Sequence, residues 1–482
     1  MSSSRVVRVH VGDEVGARSL REGIEAIQSQ LKVSPDFAPE VEEAARRAAA
    51  APRLPDLDRT DLPFVTIDPA SSRDLDQALH LEREGSGYVV HYAIADVAAF
   101  LAPGDPVDLA ARERGETLYG ADSKVPLHPT VLSEGAASLL PDEVRPALLW
   151  TIHVDHTGEG TDVQVERARV RSTAKLDYAG VQKSVDEGTA GEVLMLLKEV
   201  GELRLQREAA RGGISLPLPE QEVDVTGHRW SLEFRSMIPA ETWNAQISML
   251  TGFAAASLMV YARVGLLRTL PPPRARDLQR LHRVARALHI EWPAEQLYPD
   301  FIRTLDPGKP THAAMVTACT RLLRGSGYVG FVGELPEQPR HSALAAEYAH
   351  VTAPLRRLGD RYAGEICVAM CAGVDVPGWV LDRLGELPQT LQKADQVSHR
   401  YEGAVVDLVE AGVLRDRVGE TFAGVIVDVD QKDDKRGTIT VQDPAIEARV
   451  TGSEPVPLGN AVTATLAQAD IGSRTVSFTL SS

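Results

Sequence analysis

Leu20, Ile24, Ile27 and Leu31 recur at helical spacing through RSLREGIEAIQSQLK, and Ser34-Pro35 ends the pattern. The following PEVEEAARRAAAA is a second strong helix former. These stretches predict a small helical N-terminal module over residues 1–58, either two helices packed on the main domain or a helix-turn-helix-like unit. A linker rich in Pro and Asp (PRLPDLDRTDLP) leads to a short strand, Phe64-Val65-Thr66-Ile67, and alternation returns in YVVHYAIADV at 88–97. The polar segment between these strands is a candidate active-site loop. From about 190 to 410 the pattern is mainly helical, as in VLMLLKEVGELRLQREAAR and NAQISMLTGFAAASLMVYAR. Beyond Val418 come five short β-rich runs separated by turn residues, a pattern that suits an OB barrel over 417–482. The fold class expected is therefore α+β, with a large mixed domain over 59–416.

A chain of 482 residues with 43% hydrophobic content can bury a sizeable core. No run approaches the ~18 consecutive apolar residues that cross a bilayer, and MSSSRVVRVH lacks the apolar core of a signal peptide. A cytoplasmic protein without membrane association is the expectation. Cys319, Cys367 and Cys371 form no C-x-x-C pair and read as buried small hydrophobes. The net charge of −17 opposes indiscriminate attraction to nucleic acid, unless basic residues line an enclosed groove while acidic ones solvate the exterior.

The densest candidate chemistry lies in TIDPASSRDLDQAL, where Asp68 ends an apolar strand and Asp74 and Asp76 follow within eight residues. In an extended segment Asp74 and Asp76 face the same way. Three converging carboxylates resist joint burial unless a cation compensates, and an all-oxygen ligand set favours Mg²⁺ or Mn²⁺. An EF-hand is excluded, because its sixth-position Gly and twelfth-position Glu would fall at Arg73 and Leu79. On spacing alone, a solvated turn stabilised by Ser71, Ser72 and the Asp side chains is the more ordinary reading.

In its wider context this segment resembles the signature of the ribonuclease II (RNB) family: a strand-terminal Asp, a Ser-rich loop and a D-x-D-D cluster. Further blocks match in order, among them IADVAAFLAPGDPVDLAARERGETLY, VPLHPTVLSEGAASLLPDEVRPAL, AKLDY, RGGISLPLPE, EYAHVTAPLRRLGD and LRDRVGETFAGVI. The resemblance implies an RNB-type catalytic domain with Asp68, Asp74 and Asp76 as catalytic metal ligands. Gln77 takes the place of the usual fourth Asp, and its carbonyl is a neutral, weaker ligand. Arg356 would contact the scissile phosphate, with Arg357 as a further RNA contact. Tyr119 would stack on the 3′-terminal base, Tyr178 and Glu241 would read the ribose 2′-hydroxyl, and Glu402 would hold the strand near its end. His350 and Asp360, which flank the Arg pair, are expected to support it.

The function so implied is hydrolytic 3′→5′ digestion of single-stranded RNA to nucleoside 5′-monophosphates, with Mg²⁺ or Mn²⁺, no nucleotide cofactor and a monomeric enzyme. Gln77 keeps a second reading open, an RNA-binding protein of the RNB fold with weak or no catalysis. The segment preceding the catalytic block is too short for the two cold-shock domains usual in the family, so weaker discrimination against structured RNA is expected.

Overall fold

The computed structural model describes residues 14–226 and 229–480, so the reading of MSSSRVVRVH lies outside the described residues. The chain runs α1 (Glu14–Leu31), α2 (Pro39–Ala50), β1 (Phe64–Ile67), β2 (Gln77–Glu84), β3 (Gly87–Ala95), α3 (Pro106–Arg114), β4 (Leu118–Tyr119), β5 (Lys124–Val125), β6 (Val144–Val154) and β7 (Gly160–Leu176). It continues through α4 (Tyr178–Asp186), α5 (Glu192–Ala210), β8 (Glu220–Thr226), β9 (Arg229–Arg235), α6 (Pro239–Ala262), β10 (Val264–Thr269), α7 (Ala275–Ala287), α8 (Tyr298–Arg303) and α9 (Pro310–Cys319). Then come β11 (Gly327–Val332), β12 (Arg340–His341), β13 (Ala346–Glu347), α10 (Leu358–Ala372), α11 (Gly378–Leu384), α12 (Leu387–Leu414) and β14 to β18 (Thr421–Val429, Arg436–Val441, Ile446–Thr451, Ala461–Asp470, Thr475–Leu480).

Two closed five-stranded barrels dominate this α+β fold. The C-terminal one, ordered β14-β15-β16-β18-β17, is the OB barrel that the turn spacing predicts. The other, β1-β2-β3-β6-β7, closes through a parallel pairing of β1 with β7 that puts Ile67 opposite Leu176. The sequence pattern left this barrel undivided within a mixed domain. Its central strand β3 is buried on both faces, from Tyr88 to Ala95, so no alternation marks it. One face contributes Tyr92 and Trp150 to a core shared with α6 and α10, and the other packs Ala93, Ala147 and Leu149 near α2 and α3.

The region read as mainly helical also holds β8 to β13, short hairpins whose few residues give weak periodicity. α6 is long and apolar enough by length and composition to cross a membrane. Here it is a core helix, with Glu241, Asn244 and Gln246 buried alongside Ile247, Leu250 and Met259. The three cysteines are unpaired, Cys319 and Cys367 being buried.

α12 joins the parts. Gly412 lets Leu20 of α1 approach, since a Cβ there would come within 2.6 Å of Leu20 Cδ2, and Gly23 admits Leu408 in the same way. On the same C-terminal turns Glu410, only 3% exposed, accepts hydrogen bonds from Gln221 Nε2 (2.7 Å) and Glu447 N–H (3.0 Å), tying β8 and the OB barrel to the helix.

Burial pushes the Glu410 carboxyl up to about 7, against the relief from those two hydrogen bonds. The folded chain thus holds this proton more tightly than the unfolded one. The resulting stabilisation is complete below the unfolded value near 4.5 and is lost as pH rises through about 7. Glu410→Gln keeps an acceptor for both donors and removes the titration. Urea unfolding should show the variant gaining roughly 2–3 kcal/mol on the wild type between pH 5 and pH 8; a gap that does not change with pH would refute this role.

Candidate active site

The loop between β1 and β2 carries the acidic cluster, and several contacts fix its path. Asp68 leaves the end of β1 with its N–H on Leu176 O (3.1 Å), the last residue of β7. Lys175 Nζ donates to Ala70 O (2.7 Å) and Ser72 O (2.6 Å), drawing the loop onto the barrel rim. Ser138 brackets Asp74: its hydroxyl donates to Arg73 O (2.6 Å) and accepts from Leu75 N–H (2.9 Å). Leu75 is fully buried, so the residues on either side of it are turned the other way, toward the site.

Arg356 arrives from a distant part of the chain, at the turn that precedes α10. Asp76 joins the two segments, accepting Leu355 N–H at Oδ1 (2.8 Å) and Arg356 Nε at Oδ2 (3.3 Å). On the opposite side, Lys124 Nζ lies 3.1 Å from Asp74 Oδ2 and 2.9 Å from Glu134 Oε1. Tyr119, paired with Lys124 across the β4–β5 hairpin, places its hydroxyl 3.5 Å from Asp74 Oδ2 and leaves its ring 40% exposed. Asp68, Asp74, Asp76, Arg356 and Tyr119 therefore meet at one place.

Charge in this cleft is poorly solvated. Burial pushes Asp68 up to about 6, with Asp74 adding to the shift and Arg356 and Lys175 opposing it. Burial likewise pushes Asp76 up to about 7 against Arg356 and the Leu355 N–H. The Asp68 carboxylate receives no hydrogen bond among the described residues. Such groups ionise fully only with more positive charge beside them, and all-oxygen donors suit a hard divalent cation. The donor chemistry thus fits Mg²⁺ or Mn²⁺. Yet among the described residues no three His, Cys, Asp or Glu side chains gather closely enough to hold a metal by themselves, because Asp76 turns to Leu355 and Arg356 while Asp74 turns to Lys124.

Gln77, expected among the metal ligands, is engaged at both ends of its amide. Nε2 donates to Thr352 O (2.6 Å), and Oε1 accepts from the Tyr92 hydroxyl (2.9 Å). Only an amide satisfies this pair, since a carboxylate has no proton to give the Thr352 carbonyl. The residue acts as a second tie between the acidic loop and the segment that carries Arg356.

Tyr178 opens α4 near Asp68 and receives Asn244 Nδ2 at its hydroxyl (3.2 Å). Glu241 lies close to Tyr178 but is spoken for: Arg235 grips it bidentately at 2.8–2.9 Å and Ile238 N–H donates to it at 2.8 Å, capping α6. Burial opposes its ionisation, but these donors hold its carboxyl below the usual range. Arg357 points away from Arg356 and binds buried Asp360 at 2.7–3.2 Å, while Asp360 also takes Ala353 N–H (2.7 Å). His350 accepts or donates to the Tyr328 hydroxyl (2.7 Å) behind this pair. Glu402 is exposed on α12 beside Glu116, and its own partner is Ser398 (3.0 Å). Lys124, Ser138 and Lys175 escaped sequence reading, although two lie inside matched blocks; side chains that act by hydrogen-bonding a loop carry no spacing signal.

The RNB domain family matches residues 57–370, and an RNase II-type exonuclease C-terminal S1 domain matches 420–481. The chain belongs to the RNB family. Ribonuclease R of Escherichia coli is 26% identical over 433 residues, covering 84% of this chain and 51% of the relative. Exoribonuclease 2 of Vibrio vulnificus is 33% identical over 173 residues, 34% of this chain and 26% of that protein. This RNB chain spans about half the length of the curated relatives it matches. Mycoplasma genitalium RNase R in complex with ribose methylated single-stranded RNA superposes with a TM-score of 0.85 at 20% identity, over 96% of this chain and 78% of that one. Yeast Ssd1, a pseudonuclease, shares the fold at a TM-score of 0.70 and 13% identity, over 93% and 58% of the two chains.

Gln77→Asp, which would restore the family's D-x-D-D pattern, is expected to lower stability by about 1–3 kcal/mol, because it strands the buried Thr352 carbonyl without a donor. Urea midpoints measure this directly. An unchanged or higher midpoint would show that the Gln77 amide does not tie these segments.

Proposed function

We propose that this protein degrades single-stranded RNA hydrolytically from the 3′ end and releases nucleoside 5′-monophosphates. The observation that carries the reading is the meeting of three aspartates from one loop with an arginine 280 residues away, beside an exposed tyrosine, on an RNB fold. Arg356 has 41% of its side chain exposed and spends only Nε on Asp76, so its remaining donors are free to grip a phosphate. Tyr119 presents its ring at the mouth, where the terminal base would stack, a contact worth about 1–3 kcal/mol. The Tyr178 hydroxyl, held by Asn244, would meet the ribose, the group that distinguishes RNA from DNA.

A divalent cation held by Asp68 and Asp74, with Asp76 at the rear, would neutralise phosphate charge and lower the pKa of the attacking water. Lys124 orients Asp74 and Ser138 fixes the loop around it. Asp76 orients Arg356, and burial keeps water from competing for these groups. The RNase R relatives, and the solved complexes of Mycoplasma genitalium RNase R with single- and double-stranded RNA, support RNA as the ligand. The competing reading, an RNB-fold RNA-binding protein without catalysis, rests on Gln77 and on the open spacing of the aspartates.

Arg356→Ala should reduce turnover of single-stranded RNA about 10²–10³-fold, the usual cost of losing one donor to a developing charge. Asp76→Asn should abolish hydrolysis but cost RNA retention in a filter assay no more than Arg356→Ala does, since the amide keeps an acceptor for the Leu355 N–H and loses only the ion pair that orients Arg356. Loss of binding and hydrolysis together in Asp76→Asn would show that the loop is structural, and wild-type protein that retains RNA uncut would establish the competing reading.

A further inference from the structure

A concentration of arginine charge lies at the opposite end of β7. Asp68 sits beside the last residue of that strand, whereas Gly160 begins it, roughly 50 Å earlier along the strand at ~3.3 Å per residue. Here the hairpin between β6 and β7 packs on α5, and with α6 and β13 it lines a half-open cavity of about 650 Å³. That volume falls within the usual range for small-molecule sites.

Arg204, Arg207 and Arg211 share one face of the α5 segment at helical spacing, where like charges repel unless something neutralises them. Arg207 is neutralised by Glu159, at 2.5 and 2.8 Å. Among the described residues no carboxylate lies within ion-pair distance of Arg204 or Arg211, although Glu159 and Glu208 act on both at longer range. Arg204 is 2% exposed and gives Nη1 to Gly158 O (2.7 Å), yet its Nε is buried without an acceptor. Arg211 gives Nε to Leu344 O (2.8 Å), and its Nη2 is also buried without an acceptor. Both guanidinium groups lie over the Phe253 ring, 5.7 and 4.5 Å from its centroid. Burial, with Arg211 and Arg207 close by, brings Arg204 down to about 10.

Buried donors are almost always paired, and guanidinium groups match the oxygens of phosphate best. We propose that this cavity binds a small phosphate-bearing anion, held between Arg204 and Arg211 with Phe253 alongside. Glu159, Asp162 and Glu347 share the lining, Glu159 paired with Arg207 and Glu347 3.6 Å from Arg340, and this interspersed negative charge opposes a continuous polyanion more than one compact phosphate, which favours a mononucleotide or free phosphate over an RNA strand. The site shares no residue with the aspartate loop, so ligand bound here is separable from ligand bound at the catalytic cleft.

The test is the melting temperature of the full chain with inorganic phosphate, 5′-AMP or adenosine at matched ionic strength, in the wild type, Arg356→Ala and Arg211→Gln. Near saturation, phosphate or 5′-AMP should raise it by about 3 °C in the wild type and in Arg356→Ala. Adenosine should do nothing, and Arg211→Gln should lose the shift. A larger shift with 5′-AMP than with phosphate assigns the ligand as a nucleotide; equal shifts assign free phosphate. Should Arg211→Gln fail to fold, ³¹P line broadening of 5′-AMP by Arg356→Ala, reversed by excess phosphate, carries the same information. No shift and no broadening, an undiminished shift in Arg211→Gln, or a response to single-stranded RNA alone overturns the proposal.

Discussion

The site depends on one buried carboxylate, Asp76, that ties the two halves of the RNB domain together. It accepts the Leu355 N–H at 2.8 Å and the Arg356 guanidinium at 3.3 Å across 279 and 280 residues of chain. Without that bond the β1–β2 loop and the turn before α10 would share no charged contact, and Arg356 would be one more exposed arginine. Burial pushes this carboxyl up, and the Arg356 guanidinium and the Leu355 N–H are what oppose that push. Stability and chemistry thus ask for the same thing at this point, which is cationic charge in a place with little water.

Around that tie the protein uses neutral donors where more negative charge would accumulate. Gln77 bridges Tyr92 and Thr352, Ser138 straddles Asp74, and Lys175 crosses to two carbonyls of the loop. Four aspartates in this cleft would need still more compensation than three. The amide at 77 gives up a charge and gains a donor to a buried carbonyl. The same economy appears at Arg357, whose charge is consumed by Asp360 in order to set the start of α10, leaving Arg356 as the arm that reaches outward.

Much of this was legible in the residues. The helix over 18–32 appears as Glu14–Leu31, Phe64–Ile67 is a strand, and the five turn-separated runs beyond Val418 close into a barrel, because each has strong local periodicity. The family blocks led to the aspartate loop and Arg356, which the fold brings together. The first barrel was not legible, since strands such as β3 are buried on both faces and lose their alternation. Nor were the partners of Glu241 and Arg357: Arg235 and Asp360 lie only six and three residues away, yet nothing in a linear pattern says which charges will pair inward. The net charge of −17 hid the local balance, because Lys124, Lys175 and Arg356 converge on the acidic loop.

We propose that this loop hydrolyses RNA from the 3′ end with the help of a divalent cation. Incubating 5′-labelled single-stranded RNA and matched DNA with the protein, in Mg²⁺, in Mn²⁺ and in a chelator, tests it most directly. A ladder that shortens from the 3′ end of the RNA alone and vanishes with the chelator is expected. RNA that stays intact in every condition, or cleavage indifferent to chelation, would contradict it.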